Sequence, residues 1–477
     1  MLPPSWSLLR LAAYLVPFMA IGVLYWLHAT FGDVTVDQAL WHLQYAEGAA
    51  IRISEIFYVE CAVYGFVLPL VAALVVSLAH LAIAPYLGGW PRKLLRAGPA
   101  AAGFAAVGLF CAQFSVVSYA AAYLEPDRFA QEYVDPSRVQ LVPERRRNLV
   151  LIYAESMEAS YGDAHMFGRD LLAPLHALGG RSYGWYRPAV GATWTMAGMV
   201  ATQCGVPLKV YSEVDVRPRG EDRVFLPGAH CLGDVLQARG YRNVFMGGVS
   251  LSFAGKGRFL KDHGYQETWG RDEWEAKGAR PEEFNAWGMW DGNLFQRAKE
   301  RLDQLHASGQ PFNLTLLTLN THNPFGFLSP RCRARGVDTF EGIVGCSAER
   351  IAEFISYARE RGYLEDTVVV VIGDHLAVPN PVYDRLVQAP RRGMFNLFLG
   401  KDLPPPNRDE LLPFDLFPTL VELTGARVTG DRLALGYSAV GHAEADPPPD
   451  RAEAWAQSAM RPSSRYDLLW DARASDD

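Results

Sequence analysis

Long uncharged runs fill the first quarter of the chain, and short apolar runs separated by polar helical stretches fill the rest. The long runs cover residues 11–27, 61–84 and 100–124. A bilayer crossing takes about 20 mostly apolar residues, so each run predicts a membrane helix. The first is longer than a signal-peptide core, and no small-x-small cleavage site follows Trp26-Leu27-His28, so it reads as a retained anchor.

Beyond residue 147 the period changes. "NLVLIYAES", "NVFMGG", "FNLTLLTLNTHNP", "TVVVVIGDH" and "MFNLFLG" are apolar runs of strand length, and helical patterns lie between them. That alternation predicts an α/β fold with a largely parallel central sheet. The expected organisation is a membrane domain at 1–124, a charged linker at 125–147, a catalytic domain at 148–444 and a proline-rich tail at 445–477 poorly suited to a core.

Charge sets the orientation. Arg10 precedes the first run, and Arg92, Lys93 and Arg96 separate the second from the third. Asp33, Asp37 and Glu47, then Glu125 and Asp127, occupy the opposite flanks. Positive residues mark the cytoplasmic side. The N-terminus is therefore expected inside and everything after residue 124 outside, as in a multi-pass inner-membrane protein with a periplasmic domain. A net charge of −7 argues against a nucleic-acid partner bound through a broad basic face. The external domain carries four cysteines, Cys204, Cys231, Cys332 and Cys346, an even set for an oxidising compartment. Four cysteines allow three pairings; local proximity favours Cys332–Cys346, which leaves Cys204–Cys231. Zinc ligation is the rival use, but no CxxC pair supports it.

The candidate chemistry lies where apolar runs end. Ligand crevices of open α/β sheets lie outside the carboxyl ends of the strands. One run stops at Glu155, another at Thr321 and His322, and the valine run stops at Asp374 and His375. Alone, each could be a helix cap, a turn or a satisfied core histidine. Together, Glu155, Asp374 and His375 offer two carboxylates and an imidazole, a set suited to a divalent ion of borderline hardness.

The stretches "NLVLIYAES", "TMAGMVATQCGVPL", "CLGDVLQARGY", "FAGKGRFLKDHGY", "NAWGMWD", "TLNTHNP" and "VIGDH" occur in that order between residues 148 and 425. In them the chain resembles the membrane-bound phosphoglycerol transferases of osmoregulated periplasmic glucans. These are relatives of lipoteichoic acid synthase in the alkaline-phosphatase and sulfatase-like superfamily. The resemblance implies that Glu155, Asp374 and His375 hold one metal ion, manganese first, with magnesium or zinc as alternatives. A threonine at the head of the "TMAGMVATQCG" helix would be both fourth ligand and nucleophile. Phosphatidylglycerol would give up diacylglycerol, and a periplasmic glucan would accept the phosphoglycerol. His322 would serve the departing oxygen, while Trp287 and Asp291 would contact the glycerol headgroup.

One position departs from that pattern. Counting back three residues from Thr195, or thirteen from Gly205, puts the expected nucleophile at Ala192. Thr193 is therefore taken as nucleophile and ligand. Thr195 in that role, a register shifted by one residue, or an inactivated copy are the alternatives. Three function classes follow: a phosphoglycerol transferase; a phosphoethanolamine transferase or sulfatase-like hydrolase; and an inactive, membrane-anchored glycan-binding protein. "NAWGMWD" favours the first, because its headgroup pocket resembles the glycerol branch.

Overall fold

In a computed structural model the described residues are 4–44, 55–210, 224–442 and 444–471. Among the described residues three helices are long and apolar enough to cross a membrane: Leu8–Phe31, Phe57–Tyr86 and Gly89–Gln113. The first two cover the expected runs. The third starts at Gly89 and not near residue 100, because Gly88 is extended and Pro91 sits in the helix's first turn, where a missing N–H costs nothing. Arg92, Lys93 and Arg96 consequently lie in helical turns and not in a loop. Ser115, at φ 51°, ends the helix region, and Val116–Ala122 forms a separate short helix.

The chain divides into two units, one comprising Met1–Ala39 and Ile53–Ala120, the other Leu40–Arg52 and Ala121–Asp477. The second is built on a six-stranded sheet: β1 (Asn148–Ala154), β2 (Arg242–Gly247), β3 (Glu267–Trp269), β4 (Phe312–Leu317), β5 (Thr367–Gly373) and β6 (Asn396–Leu399). The order is β3-β2-β4-β1-β5-β6, parallel throughout except for the antiparallel edge β6. The central strands are apolar at almost every position because both faces are covered. Leu149, Leu151 and Tyr153 of β1, with Val368, Val370 and Ile372 of β5, face one core; Val150, Ile152, Val369 and Val371 face the other.

Helices α1 (Thr195–Cys204), α2 (Lys256–Asp262), α3 (Asp291–Ala307), α4 (Phe340–Glu360) and α5 (Leu416–Leu423) pack around this sheet. The bridges are Cys204–Cys231 and Cys332–Cys346. The tail does enter a core: Trp455, Tyr466, Leu469 and Trp470 are buried. Its prolines precede short helices whose aromatic residues face inward, a spacing too brief to show as a periodic pattern. The linker is tied down as well, since Leu141–Pro143 pairs with Ala426–Val428.

Candidate active site at the strand ends

Register brings the acidic residues together. Ala154 of β1 is aligned with Gly373 of β5, so Glu155 and Asp374 leave adjacent strands side by side. Tyr153 is aligned with Leu317 of β4, and Thr318 just beyond accepts the Glu155 N–H through its hydroxyl at 2.9 Å. Ser156 holds a positive φ of 52°, an uncommon conformation for a side-chain-bearing residue. In that pose its N–H donates to Asp374 Oδ1 and its hydroxyl to Glu155 Oε1, each at 2.8 Å.

Two glycines permit the close approach of neighbouring chain. A Cβ on Gly198 of α1 would lie 2.2 Å from the Asp374 carbonyl oxygen, and one on Gly373 would lie 2.1 Å from the Met157 carbonyl oxygen. The first lets α1 pack closely against the Asp374 backbone; the second lets the Glu155 loop cross β5.

Glu155, Asp374 and His375 are all buried, and ligand atoms of the three lie within 4.8 Å of one another. The His375 Nδ1 is bonded to the Leu376 carbonyl at 2.7 Å, which turns Nε2 toward the carboxylates. From Nε2 it is 3.5 Å to Glu155 Oε1, 3.5 Å to Asp374 Oδ2 and 3.4 Å to the Thr195 hydroxyl. The same hydroxyl is 3.4 Å from Glu155 Oε2. These separations are long for strong hydrogen bonds. They match the edges of a tetrahedron whose ligands stand about 2.1 Å from a central ion, which are about 3.4 Å. Asp374 Oδ2 is buried with no hydrogen-bond partner, although Oδ1 accepts two. An orphaned buried carboxylate oxygen facing an imidazole nitrogen and a second carboxylate fits a divalent cation.

The electrostatics point the same way. Burial and the Glu155 charge push Asp374 well above the usual carboxylate range. Burial works against the His375 imidazolium, but Asp374 and Glu155 outweigh it and hold the ring well above its ordinary value. Burial also opposes ionisation of Glu155, yet the hydrogen bond from His375 and the charges of His322 and His375 keep it low. The cluster thus has more negative charge than its own residues balance comfortably.

The threonine that reaches the cluster is Thr195, at the first turn of α1, and not Thr193. Trp194 is extended at φ −152°, ψ 160°, and the helix begins after it. Thr193 lies before this bend, half-buried and without a hydrogen bond to the cluster. Ala192 belongs to the hydrophobic core.

Trp287 and His322 line the pocket beside the cluster, their rings 4.8 Å apart. The His322 Nδ1 is bonded to the Asn323 carbonyl at 2.8 Å. Asp291 does not join them. It is fully buried, accepts N–H bonds from Leu319 at 2.7 Å and Asn320 at 3.2 Å, and takes the Ser347 hydroxyl at 3.3 Å. As the first residue of α3 it pins the loop that carries His322, and its carboxylate is taken up by that loop and by Ser347.

Two features escaped the sequence reading. Lys256 is buried in the pocket wall, and no ion pair to it exists among the described residues. Burial lowers its pKa to about 8 despite the charges of Glu155 and Asp374. A lysine within "FAGKGRF" carries no signal that it points inward. The second feature is Trp41, in the segment between the first two apolar helices. It is buried, donates to the Ala254 carbonyl at 3.1 Å and packs edge-on against Phe225. A further group, Cys231, Asp234 and His263, is structural: the cysteine is in a disulfide, and both nitrogens of His263 are bonded, to Asp234 and to the Phe225 carbonyl.

Comparison with known proteins agrees with this architecture. Phosphoglycerol transferase I of Xanthomonas campestris pv. campestris is 36% identical over 348 residues, covering 70% of this chain and 48% of the relative. The Escherichia coli protein of the same name is 38% identical over 285 residues, covering 58% and 36%. The chain thus spans about half, or less, of the length of the curated relatives it matches. A solved structure of an alkaline-phosphatase-superfamily protein from Vibrio parahaemolyticus superposes with a TM-score of 0.50 at 21% identity, covering 70% of this chain and 79% of that one. It shares the fold. The Sulfatase family model matches residues 147–426, which contain the whole sheet and every residue of the cluster at its carboxyl edge; the chain belongs to that family.

Proposed function

We propose that the chain transfers phosphoglycerol from phosphatidylglycerol to a hydroxyl of a periplasmic glucan, with Thr195 as the covalent carrier. The observation that carries this reading is the Thr195 hydroxyl, 3.4 Å from both Glu155 and His375 at the head of a helix. The donor and transfer type rest on the named relatives, which are 36% and 38% identical.

Glu155, Asp374, His375 and the Thr195 oxygen would hold one divalent ion; the mixed carboxylate, imidazole and hydroxyl set suits manganese, with magnesium or zinc as other occupants. When bound, such an ion lowers the hydroxyl's pKa and offsets phosphate charge. The Thr195 oxygen bonds to phosphorus as the bond from phosphorus to the diacylglycerol oxygen breaks. The hydroxyl gives up its proton, and diacylglycerol departs with one delivered from the His322 side of the pocket. Lys256 faces the incoming phosphate from the pocket wall, and the N–H groups at the start of α1 favour the same negative charge. Trp287 is the apolar wall against the headgroup. In the second half, a glucan hydroxyl oxygen bonds to phosphorus and loses its proton as the bond from phosphorus to the Thr195 oxygen breaks, and that oxygen takes up a proton.

On this reading catalysis takes place on the periplasmic side of the inner membrane, with the three apolar helices as anchor. The Thr195 hydroxyl beside the cluster supports an active copy over the inactive one that Ala192 suggests.

The test is metal content. Purified protein should bind one divalent ion per chain, and Glu155→Gln with Asp374→Asn should lose it while the fold survives by circular dichroism. Full occupancy in that double variant would refute the assignment.

A further inference from the structure

Beside the catalytic pocket lies a much larger groove, about 750 Å³ in volume, within the roughly 300–1,000 Å³ typical of ligand sites. By contrast, the space next to the metal-type cluster is about 30 Å³, room for a reacting group but not for a saccharide. The Trp287 and His322 rings, tilted by 31° to each other, line the smaller space. Their chain neighbours line the larger one: Asn285 and Trp290 on one loop, Phe325 and Phe327 on the other. The same two loops therefore face both spaces.

We infer that this groove is the acceptor subsite and that its occupant is a neutral hexose oligomer; that identity rests on the transferase reading above. Three observations carry the inference. The first is Phe325, 55% exposed and the only exposed aromatic residue among the described ones beyond residue 125. It lies three positions from His322, and an aromatic face held open to solvent next to a reactive site suits the apolar face of a pyranose ring.

The second is rigidity. The Gly326 N–H donates to the His322 carbonyl at 3.0 Å, and the Phe327 N–H to the Asn320 carbonyl at 2.6 Å. Gly326, at φ 68°, makes this turn without backbone strain. On the opposite wall, Arg333 follows directly on Cys332, which is bridged to Cys346 of α4. Phe325 is thus fixed relative to His322 and does not wave on a loose loop.

The third is charge. Arg333 and Asp338 line the groove with opposite charges, and Glu341 is ion-paired with Arg385. The groove has no surplus positive charge for an anion. Asn285, Arg333, Asp338, Thr339 and Glu341 put hydrogen-bonding groups among its aromatic residues, a mixture that suits the hydroxyls and apolar faces of a sugar chain.

The test uses the full chain in detergent with a neutral gluco-oligosaccharide as probe, and titration calorimetry as readout. Binding requires no turnover, so the result stands whether or not transfer is later observed. Phe325→Ala should weaken binding about tenfold, the scale of one lost aromatic contact. Arg333→Ala should weaken it further, and Val387→Ala, exposed but outside the groove, should not. Unchanged affinity in both groove variants, or no binding by the wild type, overturns the inference. A loss of affinity for phosphatidylglycerol vesicles in place of the oligosaccharide would assign the groove to the lipid donor and overturn it equally.

Discussion

Replacing Gly198 by alanine puts a methyl carbon 2.2 Å from the Asp374 carbonyl oxygen, where ordinary contact begins at about 3.4 Å. The obstacle is backbone at the end of a central strand, which cannot rotate away as a side chain would. Helix α1 must therefore move outward by about 1 Å, the difference between those two distances. Overpacking of this kind costs about 1–3 kcal/mol. The larger effect should be chemical. Thr195 rides on the first turn of the same helix, and a 1 Å misplacement of a reacting group can cost about a hundredfold in rate. Diacylglycerol release from phosphatidylglycerol, followed with the thermal melt, separates the two effects. Gly345→Ala is the control: it also lies in a helix, but its nearest neighbour to a new Cβ is 3.8 Å away. That variant should keep full rate and gain up to about 1 kcal/mol from helix propensity. If Gly198→Ala turned over normally, the packing of α1 against Asp374 would not position the nucleophile, and the argument would fail.

Asp291 supplies a pH prediction. Burial raises its pKa to about 7, although the Leu319 and Asn320 N–H groups oppose the shift; an unfolded Asp titrates at about 4. Between these values the folded state binds a proton that the unfolded state releases, so the contribution of Asp291 to stability is greatest below pH 4 and declines as pH rises to about 7. Asp291→Asn should flatten that decline in denaturant melts between pH 4 and 8, and an unaltered slope would count against it. Trp41→Ala removes a buried indole and its bond to Ala254, and should lower stability by about 3–5 kcal/mol in a melt of the full chain. A change under 1 kcal/mol would show that this segment does not belong to the folded core.

The metal-type cluster was legible in the sequence because strand ends are. An apolar run that stops at an acid places that acid at the sheet's carboxyl edge, and parallel register does the rest for Glu155 and Asp374. The nucleophile was not legible in the same way. Thr193 and Thr195 differ by two positions, and only the extended backbone of Trp194 decides which one enters the helix. Asp291 was expected at the headgroup only through the family resemblance; nothing in the chain announces that loop amides take up its carboxylate. Lys256 was missed for the opposite reason, since lysine carries a strong prior for the surface. The third apolar helix was displaced because hydropathy locates apolar residues and not the Gly88–Pro91 start that sets the helix.

The central claim is that Thr195 carries the phosphoglycerol. Purified chain incubated with manganese and phosphatidylglycerol, quenched in acid and digested, should yield one modified peptide, with the added phosphoglycerol on Thr195. Thr195→Ala should abolish the adduct, and Thr193→Ala should retain it. An adduct mapped to Thr193, or one that persists in Thr195→Ala, would contradict the account.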